Sequence, residues 1–335
     1  MTALGRSGGG SVCETAPVGG WLVRRVASLV AVLVLVTAGA YALIDLLPGD
    51  PALAILGFGA TEQRAEALRH QLELDRPWPV RYVHWVGDAV HGDLGQTRRY
   101  APLSVAGVLR LRMPRTLQLL LFTEVLAFGL AVPLGLWAGW RANTRVDRAI
   151  SSVAFGAVAL PPFMLGLLLV LFFAVKNRWL PSSGYRPLFG DPLGAVRTTI
   201  LPTLTLGLPL AGIMLRALRA DVAETVQRDH VLLARANGLS TWRILRRHVL
   251  RQSSLTMIAL VGVTLPWVLS FIVVVEKLFN TFGAGELVGE AVTGRDFSVI
   301  QGAILAFAVL YLAVSALIDV AQSLLDPRVR RRSGA

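Results

Sequence analysis

The sequence predicts an all-α, polytopic integral membrane protein with about six transmembrane helices. Three observations carry that expectation. Of 335 residues, 54% are hydrophobic and only 16% charged, against about a quarter charged in an average soluble domain. So much apolar surface has to face a solvent other than water. Six apolar stretches have spanning length. Finally, the basic residues, 33 against 21 acidic for a formal charge of +12, gather at the ends of those stretches. That placement is the signature of a membrane protein rather than of a nucleic-acid binder.

Taken in order, residues 1–20 read as a disordered Gly/Ser-rich tail. The only cysteine, Cys13, lies there and supports neither an intrachain disulfide nor a thiolate metal site. The first span, Trp21–Ile44 within a segment 21–45, is too long for a signal-peptide core. Pro48-Gly49-Asp50 follows where a cleavage site would be expected, so the span is retained. A long extracytoplasmic loop covers 46–115, and a loop of that length usually folds and works. A five-helix core then runs over 116–325. Its apolar stretches are Thr116–Trp140, Ile150–Val175, Thr199–Leu218, Ser254–Val275 and Ile300–Val320. Pro202 and Pro209 interrupt the fourth, which transmembrane helices tolerate when neighbours satisfy the freed carbonyls. A cytoplasmic segment, 219–252, separates the fourth and fifth, and a basic tail, 326–335, closes the chain.

Orientation follows from the arginines. Arg24 and Arg25 precede the first span, and Arg141, Arg145 and Arg148 separate the second and third. Eight arginines lie from Arg216 to Arg251 against Asp221, Glu224 and Asp229. Arg328, Arg330, Arg331 and Arg332 end the chain. All four clusters share one side if both termini are cytoplasmic. One segment breaks the pattern: Lys176, Arg178, Arg186 and Arg197 face only Asp191 on the opposite side.

No catalytic apparatus is visible. A phosphate-binding loop needs glycines and a lysine followed by Ser or Thr, whereas the two lysines, Lys176 and Lys277, stand in VKN and EKL. Nucleotide hydrolysis is therefore expected on another subunit, and no cofactor is assigned to this chain. His84, Asp88 and His91 share one helical face at i, i+4, i+7. Gly87 and Gly92 weaken that helix in an aqueous loop, so a solvated surface is expected and no metal site is assigned. Glu124, deep in the second span, is costly and so informative. It pairs with an arginine, is protonated, or lines a water-filled path. Glu276 and Asp319 lie near span ends, where snorkelling or helix-end pairing suffices.

The cytoplasmic segment DHVLLARANGLSTWRILRRHVLRQ is the most organised. A short apolar helix ends at Gly238, a natural helix stop. A second helix then places Trp242, Leu245 and Val249 on one face, with Arg243, Arg246, Arg247 and Arg251 around the others. Periodicity alone leaves two readings: a helix resting on anionic lipid, or docking into a partner protein.

That segment resembles the cytoplasmic loop of binding-protein-dependent ABC importer permeases. Their peptide branch reads close to DYVxTARAKGL and continues to a histidine. Asp229, Val231, Ala234, Arg235, Ala236, Gly238, Leu239 and His248 match, while His230, Leu233 and Asn237 depart. LPGDP after the first span agrees with the same family, as do LDRPWPVRY and GDLG in the outer loop. So do RTLQL in the second span, LPPF in the third, VVVEKLF…FGAG…GRDFSVIQG around the last outer loop, and the terminal DPRVR. The resemblance implies the first of two permease subunits of an oligopeptide or dipeptide ABC importer. It further implies a second homologous permease, two cytoplasmic ATPase subunits holding ATP and Mg, and an extracytoplasmic substrate-binding protein. Nickel importers share the architecture. The rivals from other classes are an ATP-independent channel and a membrane-embedded enzyme.

Overall fold

The structure, a computed structural model, describes residues 18–45, 61–71, 74–97 and 99–325, together with Ala52 and Leu56. LPGDP, most of the N-terminal tail and the basic C-terminal tail lie outside the described residues. Among those described there is no strand. The helices are α1 (Val18–Asp45), α2 (Glu62–Gln71), α3 (Trp78–Val90), α4 (Val105–Trp140), α5 (Arg145–Ala159) and α6 (Pro162–Leu169, continued as a π turn over Val170–Lys176). There follow α7 (Pro192–Thr225), α8 (Asp229–Ala236), α9 (Thr241–Ile244, continued as a π turn over Leu245–Val249), α10 (Leu250–Phe279), α11 (Ala284–Gly294) and α12 (Phe297–Leu325). The protein is a multi-pass membrane protein. Five helices are long and apolar enough to cross a bilayer, and α5 with α6 makes a sixth crossing if the bent pair is one span.

Two spans differ from the sequence expectation. The second begins at Val105 rather than Thr116, because the Ser104 side chain accepts the Gly107 N–H and caps the helix there. The third is broken. Its halves meet at 99°, since Pro161 and Pro162 each lack a backbone N–H and drive the preceding residue out of the α region. Leu160 accordingly sits in extended backbone (φ −88°, ψ 130°).

The fourth span, by contrast, runs unbroken through Pro202 and Pro209 as the 34-residue α7, about 51 Å at about 1.5 Å per residue. It is the central helix, and α4 lies along it. Gln118 bonds Thr199, Leu126 lies against Gly207, Gly135 faces Leu218, and Gly139 faces Val222. The two helices therefore run in the same direction with a nearly constant offset. Small residues let the backbones close up, as membrane packing requires where no hydrophobic drive exists.

Side-chain contacts define the two ends of the bundle. At one, Arg25 of α1 pairs with Asp319 of α12, Arg219 of α7 with Asp147 of α5, and Arg235 of α8 covers the Trp140 ring of α4. The described arginine clusters sit here. At the other, Thr116 bonds Glu276, Gln118 bonds the Arg186 carbonyl, and Thr97 bonds Asp296. On that side α3 packs on α1, with Tyr82 and Trp85 stacked near Tyr41, and Tyr82 and Thr37 hydroxyls 2.8 Å apart.

Candidate functional site

The short helix α8 is held from inside the bundle. Val231 and Ala234 are buried and join the main core with Val222, Ile244, Val249 and Met257. Asp229, Arg235, Ala236 and Gly238 are exposed, and Leu239 is half-buried. Val231 and Ala234 thus anchor the helix, and the exposed residues of the segment make up its outer surface. His248 lies in the second π turn, and its side chain is outside the described residues.

Gly238 ends α8 through local geometry. Its φ is +73°, the left-handed region where a Cβ is disfavoured. The Gly238 N–H donates to the Arg235 carbonyl at 2.9 Å and the Leu239 N–H to the Ala234 carbonyl at 3.2 Å. These two bonds form the Schellman arrangement, with Leu239 and Ala234 as its apolar contact. A Cβ at Gly238 would meet nothing within 4 Å, so the requirement for glycine is conformational and not one of space.

The second helix faces differently from the sequence expectation. Trp242 is 70% exposed, while Ile244 and Val249 are buried. The π turn over Leu245–Val249 changes the angular step between residues, so an α-helical period drawn through Trp242, Leu245 and Val249 fails. Leu232 and Leu233 are also exposed, so the segment presents apolar side chains at the arginine-rich end. The sequence reading places Trp242 on an apolar face but does not assign Leu232 or Leu233 as contacts. Their signal was the adjacent leucine pair, too many apolar residues for one side of an eight-residue helix.

One contact ties this segment to a span, and a second joins two helices beside it. The Arg235 guanidinium lies 4.1 Å from the Trp140 ring centroid, within cation–π range. Arg219 donates through Nε and Nη2 to the two Asp147 oxygens at 2.9 and 2.5 Å, the bidentate form that fixes direction as well as distance. Asp147 also accepts the Asn143 N–H at 2.8 Å. Movement of α8 therefore bears on α4 through Arg235 and Trp140, and on α7 through the core that Val231 and Ala234 share with Val222.

Glu124 lies midway along α4, far from this surface. Both carboxylate oxygens are enclosed and have no hydrogen-bond partner among the described residues, and no arginine pairs with them. Thr123 and Thr203 hydroxyls are likewise unpartnered. The arginine pairing expected as one alternative is absent there. In the loop, the His84 ring bonds Arg76 at 3.3 Å and the His91 ring bonds the Gly87 carbonyl at 2.8 Å.

At the opposite end, Glu276 is 0% exposed and does not snorkel. It accepts the Thr116 hydroxyl at 2.6 Å and the Glu286 N–H at 3.0 Å, at the N-terminus of α11. Burial raises the neighbouring Glu286 carboxyl above its ordinary pKa. Tyr100 donates to Glu290 and accepts from Arg112, and burial, then the Glu290 bond, raise its phenol above the usual value.

Comparison with known proteins bears on the family of the chain. Residues 131–331 match the family model described as binding-protein-dependent transport system inner membrane component, and residues 20–108 match the N-terminal model of the same systems. The probable peptide ABC transporter permease y4tP of Sinorhizobium fredii is 33% identical over 93% of this chain and 99% of its own. The glutathione transport system permease GsiC of Escherichia coli is 34% identical over 92% and 98%. Among solved structures, a chain of the methionine transporter MetNI in an inward-facing conformation superposes with a TM-score of 0.55 at 15% identity, covering 65% of this chain and 96% of that one.

Proposed function

Because the chain belongs to the family of binding-protein-dependent transport system inner membrane components, we propose that it is the permease subunit through which an ABC importer moves oligopeptides or dipeptides. The names of its relatives support peptide cargo over nickel. The observation that carries the mechanism is the turn at Gly238, which fixes an exposed apolar surface onto the central helix pair. Two ATPase subunits holding ATP and Mg would press on Leu232, Leu233 and Trp242. The Arg235–Trp140 contact would pass that displacement to α4 and the packing of Val231 and Ala234 to α7, which Arg219–Asp147 links to α5, and the spans would rock between outward and inward states. A second permease of similar fold completes the pathway, and an extracytoplasmic binding protein delivers the peptide.

Gly238→Val tests this reading. The substitution forces a β-branched residue into left-handed backbone, at about 1–2 kcal/mol, and re-aims α9 without touching a neighbour. Transport is expected to fall several-fold while the spans insert normally. The ATPase subunits should either detach on purification or hydrolyse ATP without response to the binding protein. Full transport with the ATPases bound would refute the coupling role. If the segment merely rested on lipid, neutralising Arg246 and Arg247 would be the more damaging change.

The arginine-rich end is placed in the cytoplasm, with both termini. In a Cys13→Ser background, a cysteine at Ser183 should react with an impermeant thiol reagent in intact cells, and one at Ser240 should not. Reversed labelling would invert the orientation.

Glu124 is assigned to the translocation path, supported by a carboxyl that the chain itself leaves unpartnered. Glu124→Gln should leave thermal stability unchanged and reduce uptake of cationic peptides relative to neutral ones. Loss of stability with uniform uptake would make it a packing residue.

A further inference from the structure

The one segment that broke the arginine pattern folds into a cavity. Residues from the end of α6 to the start of α7 enclose about 700 Å³, open to the surface, at the end of the bundle away from Gly238. Three arginines, Arg178, Arg186 and Arg197, line it. Only Arg186 has an acidic partner, Asp191 at 3.9 Å, in a pair that is largely exposed. Asp191 is otherwise engaged, accepting the Gly194 N–H as the cap of α7. Arg178 and Arg197 have no hydrogen bond or ion pair among the described residues.

The backbone presents one of these arginines under strain. Arg178 has φ +53°, a position that ordinarily falls to glycine or asparagine. The Asn177 N–H bonds the Phe172 carbonyl at 3.3 Å, and the Trp179 and Leu180 N–H groups bond the Phe173 carbonyl, which fixes the conformation. A non-glycine residue held there is a pointer to a ligand site when it also lines a cavity.

The rim identifies the ligand. Trp179 and Leu193 line the cavity and are exposed, as are Phe172 and Val175 of α6. Tryptophan beside arginine where a span ends is the arrangement of the membrane–water boundary. Unpaired guanidinium groups there recognise phosphate by forked hydrogen bonds. We propose that this cavity binds the phosphate headgroup of an anionic phospholipid in the leaflet opposite the Gly238 turn, its acyl chains lying along α6. Lipid phosphate supplies the counter-charge that the chain lacks, and so the basic loop is stable away from the arginine-rich end. The inference holds whichever way the chain crosses.

The test uses the full chain, purified with the subunits that accompany it, in nanodiscs of phosphatidylcholine with and without phosphatidylglycerol. Native mass spectrometry reads phosphatidylglycerol bound across a titration. The Arg178→Gly, Arg197→Gln double variant is expected to lose apparent affinity by about thirtyfold, at roughly one ordinary surface contact's worth per arginine. Arg178→Gly alone should weaken lipid retention yet melt no lower in phosphatidylcholine, because glycine relieves the strained backbone. Three outcomes would overturn the proposal. One is equal phosphatidylglycerol retention by wild type and double variant. Another is displacement of the lipid by millimolar inorganic phosphate alone, which would make this a site for a small free anion. The third is a double variant that loses its response to the binding protein in phosphatidylcholine alone, which would make the arginines a protein-docking surface.

Discussion

Glu276→Ala is expected to leave little folded protein in the membrane, and the reason lies in what its carboxylate holds together. Three helices meet at this side chain. It accepts the Thr116 hydroxyl of α4 and the Glu286 N–H of α11, while projecting from α10. Thr116 in turn accepts the Ala284 N–H at 2.8 Å. The chain makes room for the acid at the same point, since a Cβ at Gly283 would lie 2.2–2.3 Å from the carboxylate. Alanine would strand the N-terminal donors of α11 in a buried site, at about 1–3 kcal/mol for each unsatisfied group, with a cavity added. Glutamine restores one acceptor but turns an amide donor toward N–H donors, so it should rescue only in part. Thermal melts of the detergent-solubilised protein give the comparison. An Ala variant that melts with the wild type would show that water already serves those donors.

Gly139→Ala should be nearly as damaging, through a single methyl group. That Cβ would stand 2.6 Å from the Val222 Cβ and 2.8 Å from the Arg219 carbonyl oxygen, so α4 and α7 would have to part. Overpacking of this kind costs about 1–3 kcal/mol, and here it also disturbs Arg219, which grips Asp147. Adding Val222→Ala should recover only part, because it removes the Cγ1 contact at 2.7 Å but leaves those with the Val222 Cβ and the Arg219 carbonyl. Gly129→Ala, whose Cβ would meet nothing within 4 Å, should be silent in the same melt and the same uptake assay. Equal behaviour of the two glycines would mean that the helix pair is not tightly closed.

The spans were legible in the sequence because a bilayer demands about twenty apolar residues per crossing, and no tertiary contact can waive that. Gly238 was legible for a similar reason: left-handed backbone at a helix end selects glycine locally. What stayed hidden depends on partners distant in the chain. Glu276 looked like a residue near a span end, but its donors come from Thr116, 160 positions away, and from a turn whose fold is set by the bundle. Trp242 and Val249 do not share a face as an α-helical period drew them, because a π turn intervenes and Val249 turns inward. Pro161-Pro162 was seen as part of a family block and not as a bend, since proline marks a break without giving its angle.

The pairing of Arg25 with Asp319 bears on how the chain is made. The two residues are 294 positions apart, and α1 rests chiefly on α12 and α3. At ordinary synthesis rates of about 5–20 residues per second, Arg25 waits roughly 15–60 s for its counterpart to be polymerised. Until then α1 has only α3 to lean on, through Tyr82 and Trp85, and α12 supplies the larger contact late. A ribosome that stops early therefore yields a membrane-inserted chain with a loose first helix. That defect is readable by quality-control proteases without any sensor for length.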